Sequence, residues 1–165
     1  VPAANLNRGV TDDIMLTLGI IKPDAVASCN TGNILAHLER EGFVLRAARL
    51  MRLTTAQAEA FYAVHRERPF FRSLVGFMTS GPCLPMALER ADAVTGLRSV
   101  IGATDPAEAA PGTVRQLYAE SKERNAIHAS DSVENAAREI RFFFPGFELE
   151  GLWGGELVDA GSSAG

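Results

Sequence analysis

Between Met15 and Pro145, short apolar runs alternate with stretches in which apolar residues recur every three or four positions. Proline or glycine stands at many of the changes of period. Neither pattern is sustained, so the chain has to lay helices against a sheet. MLTLGIIKPD, from Met15, predicts a buried strand broken by Pro23, and NILAHLEREG predicts a helix with Ile34, Leu35 and Leu38 inward and Gly42 as its stop. FVLRAARLMRL follows as a second strand. Thr54 with Gln57 three residues on resembles a capping box, and Ala58, Phe61, Tyr62 and His65 extend a helical stripe that Pro69 closes.

A further helix covers FFRSLVGFM, and CLPMALE reads as a third strand despite Pro85. Proline removes a ladder donor, so this strand is expected to be peripheral or locally bent. ADAVTGLRSVI is helical again. Residues 102 to 112, GATDPAEAAPG, hold too many turn formers for a regular element and predict a long functional loop. A short helix, TVRQLYAES, leads to NAIHA as the last strand. In the helix after it, Val133, Ala136, Ala137, Ile140, Phe143 and Phe144 form one apolar stripe, with side-chain oxygens of Ser130, Asp131 and Ser132 available to cap its start. The order of elements matches the α+β ferredoxin-like plan (βαββαβ), a four-stranded antiparallel sheet covered by helices, expected here on one face. Residues 1–14 read as an N-terminal arm or remnant, 15–145 as one domain and 146–165 as a tail whose Phe147, Leu149, Leu152 and Trp153 are suited to docking.

Composition narrows the function. With 47% apolar and 22% charged residues in 165, the chain can bury a core, and no uncharged apolar run approaches the roughly 18 residues that cross a bilayer. No secretory signal is evident, so a cytoplasmic setting is expected. Cys29 and Cys83 stand apart, which suits free thiols. A net charge of -4 argues against a protein whose main task is coating nucleic acid. Neither a P-loop nor a dinucleotide glycine fingerprint is present, so phosphate chemistry would fall to side chains. Lys22, Arg98, Thr104, Arg115, Asn125 and His128 are the candidates, the histidine lying just ahead of a helix N-terminus, a setting suited to anions.

NAIHASDS, together with IIKPDAV, FYAVHRERPFF, FMTSGP, IGATDP and APGTVR in this order, resembles the nucleoside diphosphate kinase family from Leu16 to about Phe144. The resemblance implies transfer of the γ-phosphate of a nucleoside triphosphate to a nucleoside diphosphate. It further implies a ping-pong route through a phosphohistidine on His128, with broad base specificity. Glu139 would orient the imidazole beside Ser130. Arg98, Thr104 and Arg115 would contact phosphates, and Lys22 and Asn125 the ribose hydroxyls and phosphates, with Lys22 also in the catalytic group. Phe70 would stack on the base, with Tyr62 beside Lys22 and Leu74 completing an apolar slot. Mg2+ would ride on the nucleotide phosphates rather than on a protein site. The resemblance also implies a homo-oligomer, a hexamer before a tetramer, with no obligate nucleic acid and no membrane.

Ala129 stands where the family usually has glycine; it is harmless unless the backbone there needs a positive φ, and harmlessness is expected. Two alternatives remain open: a catalytically weak nucleotide-binding relative, motivated by Ala129 and the added ends, and a nucleic-acid-binding protein, which the acidic balance opposes.

Overall fold

A computed structural model describes residues 15–146. The N-terminal arm, and the tail from residue 147 with its docking residues, fall outside the described residues. Four strands form one antiparallel sheet in the order β2-β3-β1-β4: β1 is Met15–Ile21, β2 Val44–Ala48, β3 Leu84–Arg90 and β4 Ile127–Ala129. The helices are α1 (Pro23–Ala27), α2 (Thr31–Arg40), α3 (Thr55–Phe61), α4 (Phe71–Met78), α5 (Ala93–Ile101), α6 (Val114–Tyr118) and α7 (Val133–Phe143). This is the ferredoxin-like α+β arrangement, with α3 and α4 inserted between β2 and β3 in place of a hairpin.

The inserted helices change one expectation. Helices cover both faces of the sheet. Successive residues of a strand point to opposite sides, so Ile21, Met86, Leu88 and Ile127 pack with Ile34, Leu38, Leu97 and Ile101 of α2 and α5. Leu18, Ile20 and Ala87 face the other way, onto Phe61, Val75, Met78, Ile140 and Phe143 of α3, α4 and α7. Among the described residues no helix is long and apolar enough to cross a membrane.

Several local expectations are refined. Pro23 ends β1 and also occupies the first turn of α1, where its missing N–H is no loss, so a helix follows at once. β2 stops at Ala48 after an irregular register between Leu45 and Ala47, and only an isolated Met51–Cys83 bridge continues it. Pro85 lies in a central strand, so the peripheral placement is overturned. Arg49 N donates to Pro85 O at 3.1 Å, which turns the proline nitrogen toward the point where β2 ends; the missing donor falls at the rim of the ladder. In α7 the stripe is Ala136, Glu139, Ile140 and Phe143, whereas Val133 and Ala137 are exposed. Ala129 is ordinary strand backbone opposite Gly19; the non-glycine residues with positive φ among those described are Cys29 and Ala126.

Candidate active site

Strand alternation decides where the imidazole goes. Ile127 and Ala129 turn into the core under α2 and α5, so His128, paired with Ile20, projects toward α3 and α7. Its ring meets Phe61 and Tyr62 edge-on, with centroids 5.4 and 6.4 Å apart. Nε2 lies 3.0 Å from Glu139 Oε2, and the Ser130 hydroxyl donates to the same oxygen at 2.5 Å. Glu139 is buried on the inner stripe of α7, whose start is fixed by Ser132 Oγ accepting from Asn135 N at 3.1 Å. A carboxylate so placed accepts Nε2–H, which leaves Nδ1 with the ring's lone pair.

A second group assembles around β1, β4 and the 102–112 loop. Lys22 Nζ donates to Asn125 Oδ1 at 2.7 Å, and Asn125 Nδ2 donates to Thr104 O at 3.3 Å. Arg115, from α6, donates to Gly102 O at 3.0 Å and Ile127 O at 2.8 Å, tying the loop to the strand that carries His128. Its Nε is buried and has no hydrogen bond among the described residues. Burial, with Arg98 nearby, draws the Arg115 guanidinium down to about 10, and burial, then Arg115, draws the Lys22 ammonium down to about 8. Two cations are thus held close together and out of water, with the Asp24 charge only partly offsetting the shift at Lys22. Arg98 and the Thr104 side chain are exposed beside this group, and the Arg98 charge also helps to lower the Asp131 carboxyl, after its hydrogen bond from Asn135.

Tyr62 is buried, and its hydroxyl has no hydrogen bond among the described residues. Burial first, then Cys83 and Glu139, push its ionisation well above the ordinary range. Phe70 and Leu74 are one turn apart at α4, joined by Leu74 N to Phe70 O at 2.9 Å. Phe70 is 47% exposed, its only ring contact among the described residues is with His65 at 5.5 Å, and Leu74 packs at the margin of the core. Among the described residues neither is hydrogen-bonded or ring-stacked to the His128 and Lys22 groups, so the structure does not join the expected base-stacking residues to them by direct contact.

Asp24 is a site-side residue that its sequence context did not single out. It is buried; Oδ2 accepts from Ala126 N at 3.0 Å, while Oδ1 has no hydrogen bond among the described residues. Ala126 has φ 71°, and Ile127 N donates to Asn125 O at 2.8 Å across it, a three-residue turn of the strained hand. Such a conformation costs on the order of 1–3 kcal/mol for a residue with a Cβ.

The family model described as nucleoside diphosphate kinase matches residues 16–149. The chain belongs to the nucleoside diphosphate kinase family. A nucleoside diphosphate kinase of Halorhodospira halophila is 58% identical over 133 residues, 81% of this chain and 94% of that protein. One from Chlorobium luteolum is 57% identical over 133 residues, 81% of this chain and 95% of that protein. Among solved structures, the Aquifex aeolicus nucleoside diphosphate kinase aligns with a TM-score of 0.80 at 47% identity, covering 82% of this chain and 98% of that one. A halophilic nucleoside diphosphate kinase from Halobacterium salinarum, solved in complex with CDP, aligns with a TM-score of 0.77 at 40% identity, covering 81% of this chain and 89% of that one. As a nucleoside diphosphate kinase, this chain is a phosphotransferase.

Proposed function

We propose that the chain carries phosphoryl groups between nucleotides by a ping-pong route in which His128 Nδ1 is the nucleophile. The observation that carries this is the Nε2 contact with Glu139 Oε2 at 3.0 Å, which leaves the other ring nitrogen with its lone pair. In the first half-reaction a bond forms from Nδ1 to the γ-phosphorus and the bond from that phosphorus to the β–γ bridging oxygen breaks. The nucleoside diphosphate leaves, and the positive charge gained by the imidazole is met by the Glu139 carboxylate. In the second half-reaction a terminal phosphate oxygen of another diphosphate attacks the same phosphorus and the bond to Nδ1 breaks. Ser130 steadies Glu139, while Arg98, Arg115 and the Thr104 hydroxyl neutralise the moving group. Lys22 and Asn125, bonded to each other, hold ribose and phosphate oxygens.

Phe70 supports broad base specificity, since an exposed ring accepts the flat face of any base. Among the described residues no group of three or more His, Cys, Asp or Glu side chains converges to hold a metal. Mg2+ would be carried on the nucleotide phosphate oxygens, where the ion would supply charge neutralisation, and no residue of the chain is assigned to it. A cytoplasmic homo-oligomer, hexamer before tetramer, accompanies the proposal. The weak-relative alternative drew on Ala129, whose backbone shows no positive φ.

Labelled ATP with magnesium and no acceptor tests the route. Acid-labile label is expected on the intact chain and not on His128→Ala, with release on adding any of several diphosphates. His128→Ala turnover near that of the unaltered chain, or nucleotide retention without label, would overturn it.

A further inference from the structure

We propose that Asp24 is a positioning residue for the phosphoryl transfer, its carboxylate holding Ala126 in the strained turn that sets Asn125 against Lys22 and begins β4 with His128 in register. The proposal rests on the assignment of His128 as nucleophile.

Three contacts join the start of α1 to this turn. Lys22 N donates to Ala126 O at 2.8 Å, Ala126 N donates to Asp24 Oδ2 at 3.0 Å, and Lys22 Nζ donates to Asn125 Oδ1 at 2.7 Å. Both backbone polar groups of Ala126 are thereby bound by residues 22 and 24, while its φ of 71° is one that L side chains rarely adopt. Left without an acceptor, the buried Ala126 N–H would favour a relaxed backbone. That relaxation would move Asn125 on one side and Ile127 with His128 on the other. A carboxylate suits the task because a charge-assisted bond to a backbone N–H is about twice as strong as a neutral one. Asp24 touches neither the imidazole nor the proposed phosphate contacts through any hydrogen bond of its own, so it acts through the backbone. Its Oδ1 is buried and without a hydrogen bond among the described residues, and the Asp24 charge also works against the loss of the Lys22 charge.

The test measures the rate of phosphohistidine formation in single turnover with ATP and magnesium on the full chain, alongside circular dichroism. Asp24→Ala is expected to slow label uptake by about tenfold to a hundredfold, the usual effect of displacing reacting groups by an ångström or less. Asp24→Asn keeps an oxygen for the Ala126 N–H, though by a weaker neutral bond and without the charge that supports Lys22, so at about pH 6, where the Lys22 ammonium stays charged, it should stay within about threefold of the unaltered chain. Glycine takes a positive φ freely, so Asp24→Ala combined with Ala126→Gly should recover part of the lost rate. Because glycine at this φ also relieves strain and so adds stability, melting curves of the single and double variants are taken alongside, and a rate recovered in protein that is fully folded under the assay conditions marks positioning rather than stability. A folded Asp24→Ala labelled as fast as the unaltered chain overturns the proposal, as does an Asp24→Asn as slow as Asp24→Ala. If Asp24→Ala does not fold, Asp24→Asn decides: a retained rate upholds the backbone bond, and a loss of tenfold or more overturns it. An unaltered chain that takes no label on His128 instead defeats the nucleophile assignment, so the two failures are distinct.

Discussion

Lys22 titrates close to neutrality because burial and Arg115 hold its ammonium near 8, so it meets anions as a group that can lose its charge. Below that pH the ammonium is charged and donates to Asn125; above it the neutral amine offers phosphate no charge. Nucleotide affinity should therefore weaken, and KM for ATP rise, between about pH 7 and about pH 9, with proton uptake on binding near the upper end. In Lys22→Gln that slope should vanish while KM is high throughout. KM profiles for the two proteins check this, and an equal slope in both would assign the titration elsewhere. At this scale legibility was uneven. Glu139 and Ser130 were legible because they belong to one contiguous motif, NAIHASDS, and the helix that follows it. Asp24 was not, because its one side-chain hydrogen bond among the described residues goes to a backbone N–H 102 residues away, a pairing that local spacing does not display.

Elements were read well where periodicity and caps agreed. Thr54 and Gln57 close the expected capping box, and the four strands fall where apolar runs predicted them. The misreadings share a cause: a residue's cost depends on which way its backbone faces, which a sequence does not display. Pro23 looked like a strand breaker and also serves as a helix starter; Pro85 pointed to a peripheral or locally bent strand, yet a central strand accepts it where its nitrogen faces the end of β2. Val133 and Ala137 were placed inward by the three- and four-residue spacing of apolar residues alone, whereas the buried stripe runs through Glu139. Ala129 yields the prediction for this scale. Since it occupies a strand without positive φ, Ala129→Gly should lower stability by roughly 0.5–1 kcal/mol through added unfolded-chain entropy. Label uptake at His128 should be unchanged. Chemical denaturation and the labelling assay measure the two parts, and faster transfer in the glycine variant would mean that the alanine restrains the site.

Across the molecule, the sheet with helices on both faces supplies the rigid frame on which β1, β4, α6 and the 102–112 loop bring Lys22 and Arg115 together, with the Arg98 charge nearby. The frame bears an electrostatic cost for this. The Lys22 ammonium has an ordinary value of 10.5 and is lowered to about 8 in the fold, so the unfolded chain binds more protons between those values. Holding the charged form therefore opposes folding at neutral pH, by an amount on the order of 3 kcal/mol, and that cost is relieved as pH climbs from about 8 to about 10.5. Two consequences bear on thermal stability. Lys22→Gln retains a donor for Asn125 but removes the charge, so without nucleotide at pH 7 it should melt several degrees higher, at roughly 2–4 °C per kcal/mol for a chain of this size. Polyphosphate relieves the same cost by bringing anions to the cations, and ATP at about 100 times its Kd should add roughly 2.7 kcal/mol to the unaltered chain. The variant should show a much smaller rise at the same ATP concentration, because it has lost both affinity and the repulsion that ATP offsets. Melting curves of the two proteins with and without ATP decide it. A lower melting temperature for Lys22→Gln without nucleotide would mean that the bond from Lys22 to Asn125 outweighs the burial of its charge, and that the site's cations are held at no expense to the fold.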